Sequence, residues 1–302
     1  MSRRIQVIIN PAAGQDEPIL MTFNSVFQAA GVDWDVSITK QAGDARRLAQ
    51  QAVAAGVDVV GVYGGDGTVK EAASGVMGSP VPLAIFPGGT GNVMSVELGI
   101  PDDLAGACAL PCALPCGDDI AIRAVDMGQV GDEYFLLRLG IGLEAAMVEG
   151  ADREMKARMG NLAYILSAFQ ALREPQIARY NLTLDGRQVE SEGITCIIAN
   201  SGNVGVAGLS LVSTIRVDDG LLDVIVIRKA DLSSLLALAA SVVRGDEAAE
   251  PLQHWRAREV AVATDPPQTV QADGEILGRT PVRAKIIPQA VRIIVPEGLG
   301  GG

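Results

Sequence analysis

Basic residues are scarce. The chain holds 24 Lys and Arg against 36 Asp and Glu, for a formal net charge of −12. Proteins that bind polyanions carry a basic surplus, so nucleic acid is excluded as an expected partner. The same charge argues against strong nonspecific attraction to an anionic membrane. Long apolar runs are missing as well. The longest, Leu235 to Val243, is broken by Ser241 and falls far short of a membrane span. The opening MSRRIQVIINP has too short an apolar stretch for a secretion signal. No transmembrane segment is expected, and the reading is a soluble, cytoplasmic protein.

Histidine is nearly absent. His254 is the single one, in QHWRAREV, with no nucleophile motif around it. A Ser–His or Cys–His dyad would have to use that residue, so a general base here is expected to be a carboxylate. Cysteines number four. Cys108, Cys112 and Cys116 repeat as CALPCALPC, a spacing that could hold a soft metal. Pro111 and Pro115 are expected to break the helix that would align them, leaving a small apolar connecting segment. Aromatics make up only 4%, beside 35 glycines, which favours close helix–sheet packing.

What is present is an ordered alternation. IQVII reads as a buried strand, followed by NPAAG, a helix over roughly 17–30 and the strand WDVSIT. Asp44 is expected to cap a helix that runs through Ala55. VDVVGVY, the helix VKEAASGVM, the strand VPLAIF and PGGTGN continue the pattern. Such alternation predicts a parallel sheet with helices on both sides. Beyond about 125 the runs are mostly strand-like: AIRAVDMGQV, EYFLLRLG, YNLTLD, QVES, TCIIAN, LLDVIVI and AVRIIV. Helices are expected there only near 152–173 and 231–244. The fold class is therefore an α/β domain with a parallel sheet, 1–125, plus a mostly antiparallel β-sandwich-like domain, 126–290, with a C-terminal strand and flexible tail over 291–302.

Three strand ends carry glycine-rich loops: Asn10–Gly14, Gly64–Thr68 and Pro87–Asn92. In a parallel sheet these face one crevice. Glycine lets backbone N–H groups approach a phosphate, and a following helix N-terminus adds a favourable dipole. Together they suggest a nucleotide triphosphate. Asp66, in GGDGT, would be repelled by phosphate unless a divalent cation lay between them. A plain Gly-Asp-Gly turn is the alternative. GxxxxGK[ST] and GxGxxG are absent, and Gly140-Ile-Gly142-Leu-Glu-Ala145 is a weak dinucleotide signal.

NPAAG, ITKQAGDA, GGDGT, PGGTGN, LGIP, VDMG with YFLLRLGIG, DDGLLD, and QADGE with TPV follow one another in order. This set resembles the diacylglycerol kinase catalytic-domain family of bacterial-type lipid kinases, related to sphingosine kinases. The resemblance spans nearly the whole chain. It implies ATP as phosphoryl donor, Mg²⁺, a lipid hydroxyl as acceptor, and nucleotide bound between an α/β and a β-rich domain. By motif, Asn10, Pro11 and Gly14 match the first nucleotide loop and Thr39 a phosphate or nucleoside contact. Gly65, Asp66, Gly67, Thr68 and Glu71 match the second loop, and Thr90 the third. Asp126 matches a cleft carboxylate. Glu275 matches the general base, with Asp273 beside it; Asp273-Gly274 as a simple hairpin turn is the alternative. Asp219 resembles a structural Mg²⁺ ligand, aided by the carbonyls of Arg216 and Leu221.

Asp66, Asp126, Asp273 and Glu275 are expected to crowd one site. Lys70 stands where the family commonly has Asn; it is expected as a solvated helix residue, with a reach to a phosphate as the alternative. Segments 142–150 and 161–172 are either acyl contacts or helices packed in the core. Arg153, Lys156, Arg158 and Arg173 are either a headgroup contact or a solvated helix face. The expected partners are ATP and a lipid at a membrane surface, the inner face included, with a homodimer open beside the monomer. Rival readings are an NAD kinase-like enzyme with a soluble substrate and a catalytically silent nucleotide- or lipid-binding regulator. The acceptor stays open among diacylglycerol, a sphingoid base, monoacylglycerol, phosphatidylglycerol and an isoprenoid alcohol.

Overall fold

A computed structural model describes residues 3–14, 18–114, 120–142, 177–203, 212–228 and 253–297. The helices expected over 152–173 and 231–244, the candidate acyl contacts beyond Gly142, the basic residues from Arg153 to Arg173, Cys116 and the terminal glycines lie outside the described residues. Two units form: Met1–Val125 with Gln289–Gly302, and Asp126–Pro288. The described residues of the C-terminal segment, 291–297, group with the first unit.

The first unit is built on β1 (Arg4–Ile9), β2 (Asp33–Ile38), β3 (Val59–Gly64) and β4 (Leu83–Pro87), all parallel, in the order β2-β1-β3-β4. The last strand of the chain adds Ile293 parallel to Leu83 of β4. β3 and β4 are buried at every position, as their continuous apolar runs require. The helices are α1 (Ile19–Ala29), α2 (Asp44–Ala54), α3 (Asp66–Val76), α4 (Val93–Glu97) and α5 (Leu104–Ala113). The connection from β1 to β2 runs one way along the sheet; those from β2 to β3 and β3 to β4 run the other. Right-handed crossovers then put α1 on one face and α2 and α3 on the opposite face. α5 packs with α1, and α2 packs with α3. The order reverses between β1 and β3, which makes their carboxyl ends a topological switch point.

The few aromatics are concentrated here. Phe23, Phe27, Trp34, Tyr63 and Phe86 form one cluster, with Phe23 edge-on to Phe86 at 5.1 Å between centroids. Such pairs add about 0.5–1.5 kcal/mol each beyond their area burial.

Two local expectations are corrected. Asp44 is the first residue of α2 and does not cap it; Gly43, at φ 84°, is the N-cap. The Asp44 carboxylate reaches back to the amides of Lys40 and Gln41 and forward to Arg47. The helix cap comes from afar: Glu71 of α3 accepts from the amides of Gly43 at 2.8 Å and Ala45 at 3.1 Å. The second correction is that α5 runs through Pro111. Pro111 sits in the last turn, and Arg3 donates to the carbonyl oxygens of Pro111 and Cys112 at 2.6 and 2.9 Å, satisfying the helix end. Cys112 and Cys108 are therefore one turn apart, with the Cys112 thiol directed at the Cys108 carbonyl. Burial pushes both thiols up.

β5 (Ile120–Val130) leads into the second unit, which continues with β6 (Glu133–Phe135), β7 (Arg138–Gly142), β8 (Ala178–Leu184), β9 (Arg187–Gly193), β10 (Thr195–Ala199), β11 (Leu222–Ile227), β12 (Gln253–Ala257), β13 (Glu259–Asp265), β14 (Thr269–Ala272), β15 (Glu275–Arg279) and β16 (Val282–Pro296). One antiparallel sheet has the order β12-β11-β10-β7-β14-β15. Another runs from the start of β16 through β13 and β8 to β9. Inward side chains of both, among them Leu139, Ile141, Tyr180, Ile198, Val224 and Val260, make one core. This is a β-sandwich. EYFLLRLG, expected as one strand, is split into β6 and β7. The break lies at Leu136 and Leu137, whose amides are taken by a side chain of the site.

Candidate active site

In the first unit the three glycine loops come together at the switch point. The Asn10 amide N–H continues the sheet to the Tyr63 carbonyl at 2.9 Å. Its side chain does two more things. Oδ1 accepts from the Ala12 amide at 3.0 Å, which turns the first loop, and Nδ2 donates to Thr68 Oγ1 at 2.9 Å. The first loop is thereby tied to the start of α3. Thr39 follows β2, is buried, and donates its amide to the Ile9 carbonyl at 2.9 Å. Pro11 is exposed in the turn.

The second and third loops meet glycine to glycine. The Gly88 amide donates to the Gly64 carbonyl at 3.0 Å. A Cβ on Gly89 would lie 2.5 Å from Cα of Gly65, so no side chain fits at that crossing. Asn92, at φ 46°, closes the third loop: its Oδ1 accepts from the Gly89 amide and its Nδ2 donates to the Gly89 carbonyl, at 2.9 and 2.8 Å. Thr90 stays exposed at the tip. Tyr63 underlies the first and third loops. A Cβ on Gly14, where φ is 93°, would lie 2.2 Å from its hydroxyl oxygen, and one on Gly88 would lie 2.8 Å from its ring. Neither Tyr63 nor Asn92 was singled out as a site residue from sequence.

Asp66 and Gly67 open α3, and Asp66 Oδ1 lies 3.4 Å from the Met94 amide of α4. A carboxylate on the first turn is favoured by the helix dipole. Glu71, one turn on, is occupied by the two amides of the α2 start. Lys70 is buried at 6% exposure, correcting the expectation of a solvated residue. α3 packs against α2, β3 and β4, and that burial encloses the side chain.

In the second unit four sequence motifs converge through hydrogen bonds. Asp126 of VDMG is fully buried. Its Oδ2 accepts from the Gly220 amide at 2.6 Å, and its own amide donates to the Val217 carbonyl at 2.7 Å. Asn200 Nδ2 donates to the carbonyls of Asp126 at 2.9 Å and Leu136 at 2.8 Å. Its Oδ1 is buried and has no hydrogen-bond partner among the described residues. Asp273 completes the chain of contacts. Its carboxylate accepts from three successive amides, Leu136, Leu137 and Arg138, at 2.6, 3.1 and 2.9 Å. Asp273 and Gly274, at φ 46° and 88°, form the two-residue hairpin between β14 and β15, with Ala272 opposite Glu275. The turn thus fixes where Glu275 begins its strand. Glu275 is exposed, and Ile276 and Leu277 after it are 42% and 37% exposed. Asn200 escaped the sequence reading, although its position, after the buried run TCIIA, repeats that of Asn10 after IQVII.

Asp219 lies in the turn ahead of β11. Its Oδ1 accepts from the Leu221 amide at 3.0 Å, and its Oδ2 meets the Arg256 guanidinium. Arg256 Nε is 3.5 Å from Asp223, and Asp223 in turn holds His254 Nε2 at 2.6 Å. Burial pushes the Asp223 carboxyl up, and the hydrogen bond from His254 offsets part of that. Arg216 pairs with Asp218 at 3.3 Å. Among the described residues no group of three or more His, Cys, Asp or Glu side chains is arranged to hold a metal.

The chain thus places glycine loops at the switch point of a parallel sheet and a DGE hairpin in a β-sandwich. Residues 4–130 match the diacylglycerol kinase catalytic domain family, and residues 138–295 match the YegS C-terminal NAD kinase beta sandwich-like domain. The chain is 30% identical over 276 residues to a Pseudomonas aeruginosa protein named "Probable lipid kinase YegS-like", covering 89% of this chain and 87% of that one. It is 33% identical over 273 residues to the Synechocystis protein sll0036, covering 87% of this chain but 61% of that one. Among solved structures, a diacylglycerol kinase of Bacillus anthracis matches with a TM-score of 0.79 at 28% identity, covering 97% of each chain. The chain belongs to the diacylglycerol kinase catalytic-domain family of lipid kinases. No helix among the described residues is long and apolar enough to cross a membrane.

Proposed function

We propose that this lipid kinase transfers the γ-phosphoryl group of ATP, accompanied by Mg²⁺, to the hydroxyl of a diacylglycerol-like lipid. The observation that carries this reading is the junction of the three glycine loops at the switch point, through Asn10–Thr68 and Gly65–Gly89. Phosphoryl transfer asks a protein for positioning and charge neutralisation more than for covalent chemistry. Backbone amides of these loops cradle the phosphates. Asp66 meets the cation that travels with ATP, and this answers why a carboxylate sits among phosphate-binding glycines.

Glu275 is the general base. It takes the proton of the lipid hydroxyl as that oxygen attacks the γ-phosphorus, and ADP departs. Asp273 is a positioning residue: its carboxylate is committed to the amides of residues 136–138, and it sets the hairpin from which Glu275 projects. Asp126 is likewise a positioning residue, holding the turn at Gly220. Exposed Ile276 and Leu277 beside the base support an acceptor with an apolar body over a soluble dinucleotide. The work takes place at a membrane surface, reached from the cytoplasm.

The reading is tested by incubating the protein with γ-labelled ATP, Mg²⁺ and a panel of lipids in mixed micelles. The panel holds diacylglycerol, monoacylglycerol, a sphingoid base, phosphatidylglycerol and an isoprenoid alcohol, with NAD as the soluble control. Label in one lipid is expected. Label in NAD alone, or ATP binding with no transfer to any acceptor, contradicts it.

A further inference from the structure

The family resemblance gives Asp219, with the carbonyls of Arg216 and Leu221, a structural Mg²⁺. The donors found at Asp219 do not fit that assignment. Both carboxylate oxygens already accept from nitrogen: Oδ1 from the Leu221 amide at 3.0 Å, Oδ2 from the guanidinium of Arg256. A metal at Oδ2 would have to share that oxygen with a cation that is itself held elsewhere. Arg256 is held by the sheet. It stands directly opposite Asp223 in the β11–β12 register, and its Nε lies 3.5 Å from Asp223 Oδ1. Asp223 is fully buried, so its charged form needs partners within the protein: His254 Nε2 at 2.6 Å and, beside it, Arg256 Nε at 3.5 Å. Arginine is the side chain suited to bridging two carboxylates, being always charged and planar with several donors. A divalent ion brought to Asp219 would also meet that fixed positive charge at contact range.

We propose that Arg256 does in this chain what the structural Mg²⁺ is expected to do. Its guanidinium neutralises Asp219 and bridges it to Asp223, which His254 also holds. It thereby pins the turn that presents the Gly220 amide to Asp126 at 2.6 Å. The turn then needs no divalent cation. This inference does not depend on the identity of the acceptor lipid, nor on the cation that accompanies ATP.

The test is thermal unfolding of the full chain without nucleotide, in EDTA and in Mg²⁺, for the parent, Asp219→Asn, Arg256→Gln and Arg256→Lys. The shift caused by Mg²⁺ is expected to be the same in the parent and in Asp219→Asn, showing that Asp219 holds no ion. In EDTA, Arg256→Gln is expected to unfold several degrees below the parent, with Arg256→Lys between them. Stabilisation of the parent by Mg²⁺ that disappears in Asp219→Asn would overturn the proposal. So would an Arg256→Gln variant that unfolds with the parent in EDTA. Should Arg256→Gln fail to fold, Arg256→Lys and the Asp219→Asn comparison still decide the matter.

Discussion

Asn10 and Thr68, 58 residues apart in the chain, are joined by a 2.9 Å hydrogen bond from Nδ2 to Oγ1 across the point where the strand order reverses. The bond locks the first glycine loop to the start of α3. One intramolecular hydrogen bond is worth about 0.5–1.5 kcal/mol, or up to about tenfold in an equilibrium constant. Asn10→Ala and Thr68→Ala are therefore each expected to raise the KM for ATP by up to about tenfold. Thr68→Ser should stay near the parent, since it keeps the hydroxyl. Steady-state kinetics at saturating lipid check this.

The crossing of Gly65 and Gly89 makes a sharper demand. A methyl group on Gly89 would contact backbone, which cannot rotate away, at 2.5 Å. Gly89→Ala is expected to cost about 1–3 kcal/mol of stability, in the range of overpacking changes. Gly67→Ala meets no atom within 4 Å and lies within α3, so it should be neutral or mildly stabilising in denaturant unfolding.

Much of this site was legible in the sequence because glycine, proline and aspartate act through the backbone. NPAAG, GGDGT and PGGTGN each end a buried strand run, and the fold puts all three at the carboxyl ends of neighbouring strands of one sheet. Long-range partners were not legible. Glu71 looks like part of its own loop, yet it caps α2 from 26 and 28 residues away. Lys70 reads as solvated because a helical lysine ordinarily reaches water, but packing of α3 buries it. The break between β6 and β7 is written 135–137 residues downstream, in Asp273, and no local pattern could reveal it. Pro111 looked like a helix breaker because the Arg3 guanidinium that completes the helix end comes from the opposite end of the unit's sequence.

Asn200 tests the second half of the site. Its side chain satisfies two buried carbonyls, those of Asp126 and Leu136. Removing it leaves both without that donor, and an unsatisfied buried group costs about 1–3 kcal/mol. Asn200→Ala is expected to lose about 2–6 kcal/mol in urea unfolding, by the same principle applied to both carbonyls. Asn200→Asp should be worse at neutral pH, because it faces two acceptors with a third.

Acid sensitivity should trace in part to Asp44. The Arg47 guanidinium, followed by the amides of Lys40 and Gln41, holds this carboxyl below its ordinary value of 3.8. A lowered native pKa means that the unfolded chain binds the proton first as pH falls. The contribution of Asp44 is therefore full above pH 3.8 and is lost as pH drops through the native value. Asp44→Asn should lower stability at pH 7 and flatten the acid limb of a plot of unfolding free energy against pH. Curves of parent and variant that stay parallel down to pH 2 would contradict this assignment.

The central claim is that Glu275 serves lipid phosphorylation as base, from a hairpin set by Asp273. The most direct measurement compares parent and Glu275→Gln for label transfer from γ-labelled ATP to the accepted lipid, with ATP affinity measured separately by titration. The account predicts a loss of at least about 10²-fold in kcat, the range for removing a general base, with ATP affinity unchanged. Glu275→Gln transferring phosphate at the parent rate, with the label still in lipid, would contradict it.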